Sequence, residues 1–400
     1  MPSALIVGGG IAGPAAAMFL ARAGWNVRIL EAADGPDAAA GAFLNVAANG
    51  LDVLDQLGLR EPVVAGGHRA GRMVMLGGRG RELGVVPNGP AGDLEHGGVV
   101  VQRAHLHAVL REGLATAGLP VEYGARVVGM RSATDAAIAT LADGREISAD
   151  VLVGADGIGS VVRTHIDPGA PAPSYTGLVG LGGTARVPGL EPTPETQVMV
   201  FGRRAFFGYL VRTDGTAYWF ANLTRPEPDR RALATVAREQ WLAELREVHA
   251  DDPDPVLRLL EHAAGAVSAY PIHALPHVPR WHRGRVVAIG DAVHATSPSA
   301  GQGASLALED AIVLARALRD APDHETAFST FQRMRQPRVE RIVGYARAVD
   351  RNKRVTRSRL GVAVRDAMLP LFLRRAMDDR RNDDLYAYRV EWDDEGVPAG

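Results

Sequence analysis

The feature that most restricts the fold is Gly8-x-Gly10-x-x-Gly13, set between the apolar run Ala4-Leu5-Ile6-Val7 and a helical pattern from about Ile11 to Ala23. A short continuous apolar run suits a strand covered on both faces, as in a parallel sheet. The glycines meet separate needs. Gly8 permits the tight turn, Gly10 lets a pyrophosphate approach the backbone, and Gly13 lets helix and strand pack closely. Pro14 falls in the first helical turn, where a missing N–H costs little, and Gly24 ends the helix. A second strand, Asn26 to Leu30, leads to Glu31. A carboxylate there accepts hydrogen bonds from a ribose 2′-hydroxyl and disfavours a 2′-phosphate. The loop therefore suits the adenosine half of FAD or NAD rather than NADP, and does not by itself separate the first two.

Composition removes several alternatives. A net charge of -2 gives no reason to expect a nucleic-acid or anionic-membrane partner. The chain has no cysteine, which excludes disulfides, thiolate metal sites and cysteine nucleophiles and is compatible with a cytoplasmic location. No HExxH-like cluster suggests a metal. Pro2 to Ala21 is uncharged and long enough to span a bilayer. However, no basic residue precedes it, and Gly8, Gly9, Gly10, Gly13 and Pro14 interrupt it, so we read a buried strand-turn-helix instead of a membrane or export segment. Lys353 is the only lysine, which we read as the coding bias of a GC-rich genome.

Along the chain, helices are predicted near Asn49–Leu57, Gln102–Ala117, Ala232–Val248, Pro255–Ala264, Gly303–Arg319 and Glu325–Asp350. An amphipathic helix interrupted by Pro370 is predicted over Gly361–Met377, and the charged tail from Asp378 is expected to fray. Arg72–Val86 holds two short strands, and Ala137–Leu141 pairs with Glu146–Val153 across Asp143-Gly144. The middle reads as strands Gly180–Val187, Gln197–Phe201, Phe206–Val211 and Ala217–Leu223, with Asp214-Gly215 as a hairpin turn. Arg285–Ile289 is a further buried strand. The fold class is α/β: a Rossmann-like dinucleotide domain (1–71, 99–169, 281–378), an inserted antiparallel-sheet domain (72–98, 170–280), C-terminal helices and a tail (379–400).

Two more strand ends carry glycine and acid. Gly154-Ala155-Asp156-Gly157-Ile158-Gly159-Ser160-Val161-Val162-Arg163 follows Val151-Leu152-Val153. Gly290-Asp291-Ala292-Val293-His294 follows the last buried strand, with Pro298, Gly301-Gln302-Gly303-Ala304-Ser305 and Glu309-Asp310-Ala311 beyond it. Asp291 can accept hydrogen bonds from a polyol, and the N–H groups opening the helix at Gly301–Ala304 can face an electron-rich ring edge.

The ordered trio resembles the group A flavoprotein monooxygenases, the para-hydroxybenzoate hydroxylase-like aromatic hydroxylases, over about residues 4–320. The resemblance implies FAD, held at its ADP half by Gly8, Gly10, Ala12, Gly13 and Glu31. It implies that Arg103 reaches the flavin phosphates and ribityl chain and that Val127 lies near the adenine. It further implies that Asp156 serves both FAD and the nicotinamide cofactor, that Asp291 binds the ribityl hydroxyls, and that Pro298, Gly301, Gln302, Gly303 and Ala304 line the isoalloxazine. NADPH or NADH would reduce the flavin, oxygen would add to give a C4a-hydroperoxide, and one oxygen atom would pass to an electron-rich ring. Relatives often carry an arginine within the stretch corresponding to Asp37–Leu44, and here there is none. An epoxidase, a ring-expanding oxygenase, a reductase on the same fold, or a flavin-free NAD dehydrogenase are the alternatives.

The substrate, an aromatic small molecule, is expected between flavin and middle sheet, with Phe201, Phe207, Tyr209, Trp219, Phe220 and Asn222 as candidate lining residues. Plain sheet core is the competing reading for most of them. His273, His277 and His294 are possible bases, each read first as structural or surface histidine. A monomer or homodimer is expected.

Overall fold

The computed structural model describes residues 1–36, 43–90, 96–353, 361–362, 364, 366–368 and 385–393. Its central sheet has six strands in the order His282–Arg283, Val286–Ala288, Val151–Gly154, Ser3–Val7, Asn26–Leu30, Val121–Glu122. All neighbours are parallel except the edge pair His282–Arg283 with Val286–Ala288. Leu5, Ile6, Leu152 and Val287 are sealed from solvent because both faces of the sheet are covered, which explains their unbroken apolar runs. Helix Ala12–Arg22 packs against the long helix Gly303–Asp320. The latter is buried from Ser305 to Leu318 and runs through the middle of the domain.

A seven-stranded sheet stands beside it, in the order Ala263–Ala274, Ser174–Ala185, Ala217–Thr224, Phe206–Val211, Thr196–Phe201, Arg72–Gly77, Glu82–Pro87. It is antiparallel with one exception. Thr196–Phe201 runs parallel to Arg72–Gly77, because the latter arrives as a separate hairpin from far earlier in the chain. Helices Arg238–Val248 and Val256–Glu261 back one face through Trp241, Leu242, Leu245, Leu259 and Leu260.

Several expectations are corrected. The helix predicted over Pro255–Ala264 ends at Glu261, and the chain then forms a twelve-residue edge strand, Ala263–Ala274. Pro271 and Gly265 hid this strand, and both are tolerated because it lies at an edge. The helix predicted over Ala232–Val248 is two, Arg230–Thr235 and Arg238–Val248. Val236 is extended at the break, Asp229 caps the first piece, and Gln240 reaches back to the Ala237 N–H at 3.3 Å. The strand predicted over Glu146–Val153 divides at Asp150, whose carboxylate accepts from Ser3 N and Oγ at 2.7 Å. Glu146–Ala149 joins a small three-stranded sheet, whereas Val151–Gly154 enters the central one. Strands Phe43–Val46 and Gly98–Gln102 went unpredicted. The helix expected over Gly361–Met377 lies largely outside the described residues. The tail is not frayed over 385–393. Trp392 stacks on Phe19 at 5.3 Å and lies beneath the guanidinium groups of Arg22 and Arg319, and burying an aromatic of this size outweighs the entropy of ordering the segment.

Candidate active site

Val7, Gly154 and Ala288 are in register across three adjacent parallel strands, so the loops that follow them start side by side. Backbone bonds lace these ends together: Gly8 N to Leu30 O, Ala155 N to Val7 O and Ile289 N to Gly154 O, at 2.8 to 2.9 Å. The close approach explains two glycines. Gly8 has φ +113°, and a Cβ there would stand 2.2 Å from Ala155 O; a Cβ on Gly13 would stand 1.9 Å from Gly8 O. Gly10 differs, because a Cβ there would meet open space. The loop is packed against Ala155 at Gly8 and against Glu31 at Gly9, while Gly10 faces open space.

Each sequence-predicted residue can now be placed. Glu31 is at the end of its strand, with its carboxylate accepting from Gly9 N at 2.7 Å and Ala33 N at 2.8 Å. Ala12 lies at the start of the first helix, and its methyl would be 3.1 Å from a Cβ on Gly290. Val127 is buried in the core just beyond Ala125, whose N–H donates to Glu31 O. The Asp156 carboxylate is taken up by capping: it accepts from Ser160 Oγ and from the N–H groups of Val161 and Val162. Burial pushes its pKa up. Arg163, in the same motif, donates to Ala292 O at 2.8 Å and so ties the second loop to the third.

Asp291 lies just beyond strand Val286–Ala288, and its carboxylate makes no hydrogen bond among the described residues. It keeps accessible surface yet sits in a recess, and desolvation there raises its pKa against the opposing fields of His294 and Arg103. Arg103, exposed at the start of helix Arg103–Thr116, also acts on Tyr270, whose pKa is raised by burial. Tyr270 comes from the seven-stranded sheet, so Asp291, Arg103 and Tyr270 face one cleft from three directions. Pro298 is exposed in a short 3-10 turn. The helix Gly303–Asp320 begins without a side-chain cap, leaving the N–H groups of Gly303 and Ala304 without helical partners. The Gln302 side chain does not line this cleft. It is fully buried, accepting from Asn49 and donating to Leu385 O.

The third loop is held by a charge network that sequence reasoning missed. Asp310 accepts from Gly290 N at 2.9 Å, Arg335 Nε at 2.7 Å and the His294 ring at 2.5 Å. Burial would raise its pKa, but His294 and Arg335 outweigh that and hold it at about 2. Glu309 accepts from Asn49 and Arg338, and Arg335 lies 2.6 Å away. Asn45 and Asn88 exchange hydrogen bonds, and Asn45 Nδ2 also donates to Gly301 O at 3.1 Å. The only sequence signal was the acidic pair Glu309-Asp310 inside the otherwise apolar stretch Leu306–Ala315.

The aromatic candidates divide by parity. Phe207, Tyr209 and Trp219 belong to the helix-backed core; Phe207 stacks on Trp219 at 5.9 Å and meets His249 edge-on. They are corrected from cleft lining to sheet core. Phe220 and Asn222 occupy the opposite face with Phe201, Phe206 and Tyr218. Phe43, from the dinucleotide side, stacks on Tyr218 at 5.3 Å and packs edge-on to Phe220 at 5.8 Å. Each candidate base is engaged by a carboxylate: His273 by Glu227, His277 by Glu340 and His294 by Asp310.

The comparisons with known proteins agree with this geometry. Residues 2–346 match the family model described as FAD binding domain. The chain is 33% identical to the aurachin C monooxygenase/isomerase of Stigmatella aurantiaca, over 85% of this chain and 86% of that protein. It is 28% identical to the 6-hydroxynicotinate 3-monooxygenase of Bordetella bronchiseptica, over 85% and 89%. Klebsiella pneumoniae HpxO, solved with FAD and uric acid, shares the fold with a TM-score of 0.82 at 24% identity, covering 96% of each chain. The protein belongs to the FAD-binding domain family and is an FAD-dependent monooxygenase of the aromatic hydroxylase type, using NAD(P)H as electron donor. No helix among the described residues is long and apolar enough to cross a membrane.

Proposed function

We propose that the cleft between the three strand-end loops and the aromatic face of the seven-stranded sheet hydroxylates an aromatic or heteroaromatic small molecule with molecular oxygen, in the cytoplasm, in a monomer or homodimer. What supports this is that the strand-end loops start side by side with Gly10 facing open space, that Arg103 acts on both Asp291 and Tyr270, and that Phe43 reaches Tyr218 and Phe220 on the sheet. The Bordetella relative, named for 6-hydroxynicotinate, supports an oxygenated heteroaromatic ring as the substrate type. In this reading the chain divides into the dinucleotide segments 1–71, 99–169 and 281–378, the substrate segments 72–98 and 170–280, and the tail.

The residues present fit FAD. The Gly8–Gly13 loop and the N-terminus of Ala12–Arg22 receive the pyrophosphate. Glu31 keeps lone pairs for ribose hydroxyls beside its two backbone bonds, and Val127 closes the adenine end. Arg103 balances phosphate charge. Asp291 accepts from ribityl hydroxyls, and the backbone of Pro298, Gly301, Gln302, Gly303 and Ala304 faces the ring system, offering N–H groups to developing negative charge. Asp156 acts through the helix it caps. When bound, FAD supplies the redox chemistry, accepting two electrons from NADPH or NADH and directing oxygen to the substrate ring. The protein orients the ring on the aromatic face and keeps water out.

The test is product mass under labelled oxygen gas with a panel of hydroxylated N-heteroaromatics: one labelled atom per product is expected, together with ring-stimulated NAD(P)H oxidation. Unlabelled product, or oxidation indifferent to every ring compound, would sink the reading. Asp291→Ala should weaken FAD binding by about tenfold or more; unchanged affinity would remove Asp291 from the assignment.

A further inference from the structure

Lys353 is the chain's sole lysine, and it lies against the aromatic face of the seven-stranded sheet. It closes helix His324–Lys353 with its ammonium 4.2 Å over the ring of Phe206. Phe206 lies opposite Asn222 across the strand pair and 5.8 Å from Phe220, on the face turned to the cleft. One turn earlier in the same helix, Asp350 accepts from Ser299 Oγ, in the loop between Pro298 and Gly301. The helix end therefore bridges the flavin-side loop and the aromatic wall.

The ammonium makes no hydrogen bond or ion pair among the described residues. Asp350 acts on it through space only, and that carboxylate's second oxygen is itself buried without a partner. Among the described residues its company is an aromatic face and the through-space pull of Asp350, an arrangement that leaves its donors able to meet an external oxygen. Lysine differs from arginine here. It is a compact point charge with three rotatable donors, suited to a single oxygen instead of a planar fork.

We propose that Lys353 is a specificity-determining residue for this monooxygenase, its ammonium receiving an anionic oxygen of the substrate, carboxylate or ionised ring hydroxyl, while the ring lies against Phe206 and Phe220. This rests on the cleft being the substrate site. Burial draws the lysine down to about 8, against the pull of Asp350, so near neutral pH the group remains mostly charged. Lys353 would fix which edge of the ring is turned away from the reacting position.

The single lysine makes the test direct. In the FAD-loaded full-length enzyme, reductive methylation with labelled formaldehyde marks two amines, Lys353 and the N-terminus. Benzoate, nicotinate and quinoline-4-carboxylate are compared with their carboxamides, and 4-nitrophenolate with 4-nitroanisole. The anions are expected to shift the Lys353 resonance and slow its modification, the neutral partners to do neither, and the N-terminal signal to stay still. Whether carboxylates or the phenolate act more strongly identifies the oxyanion. Lys353→Met should weaken anion binding by roughly tenfold to hundredfold, with Lys353→Arg recovering part of it and FAD absorbance confirming folding in both. Anions bound equally by Lys353→Met, or a Lys353 signal indifferent to every anion, would overturn the proposal. An enzyme purified without FAD would instead undo the functional reading, a separate measurement.

Discussion

The parallel sheet and the seven-stranded sheet deliver function by different routes. In the first, side chains of Leu5, Leu152 and Val287 only fill space, and the chemistry sits at the strand ends, in backbone N–H groups and one or two acids. In the second, the two faces differ, with Phe201, Phe206, Phe220 and Asn222 on one and Phe207, Tyr209 and Trp219 turned to the helices on the other, and in the proposed reading the first of these faces lines the substrate site. A strand-end site is written in glycines and aspartates at fixed positions. A face site is written in parity, and shifting by one residue exchanges wall and core.

Substitutions can break this contrast. The largest effect is expected from Gly13→Val, which drives a side chain into Gly8 O at the strand end; soluble, FAD-loaded protein should be absent, read by absorbance after purification. Asp310→Ala should come next. It strands Arg335 and His294 without their shared carboxylate and frees Gly290 N, at a cost of about 3–5 kcal/mol, read by urea unfolding with FAD release in parallel. Phe207→Ala should lose about 3 kcal/mol or more of stability while leaving ring-ligand affinity intact. Phe220→Ala, half-buried on the other face, should do the reverse, losing about tenfold in ring-ligand affinity with a small change in melting temperature. If the two Phe variants behave alike, the parity assignment is wrong.

The smallest effect is in pH. Asp310 has its folded pKa depressed to about 2, so its stabilising charge is fully present above the ordinary carboxylate value of about 3.9 and is lost as pH falls from there through about 2. Acid titration of stability should steepen over that window, and Asp310→Asn should flatten it.

Much of the first sheet was legible. Ala4–Val7, Val151–Gly154 and the strand before Gly290 announced themselves because burial on both faces demands unbroken apolar runs, and Asn26–Leu30, whose Asn26 and Arg28 are exposed, by its place just after the helix-ending Gly24. The second was legible in six of its seven strands, from the pair in Arg72–Val86 to Ala217–Leu223, and was missed at one edge. Ala263–Ala274 carries Gly265 and Pro271 and lacks clean alternation, since an edge strand can tolerate both. Asn45, Asn88 and Gly301 lie far apart in the chain, and nothing local marks them as partners. The lone Lys353 looked like codon usage until its helix end was seen against Phe206.

The amino-acid order alone settled the βαβ start, the three glycine-acid loops and the flavoprotein resemblance, because those depend on backbone conformations that few residues permit. Which side of the seven-stranded sheet meets the cleft, which carboxylates clamp the third loop, and where the only lysine stands were decided by packing between segments distant in the chain. Such contacts cost chain entropy and are offset only when the whole core closes, so no local pattern records them.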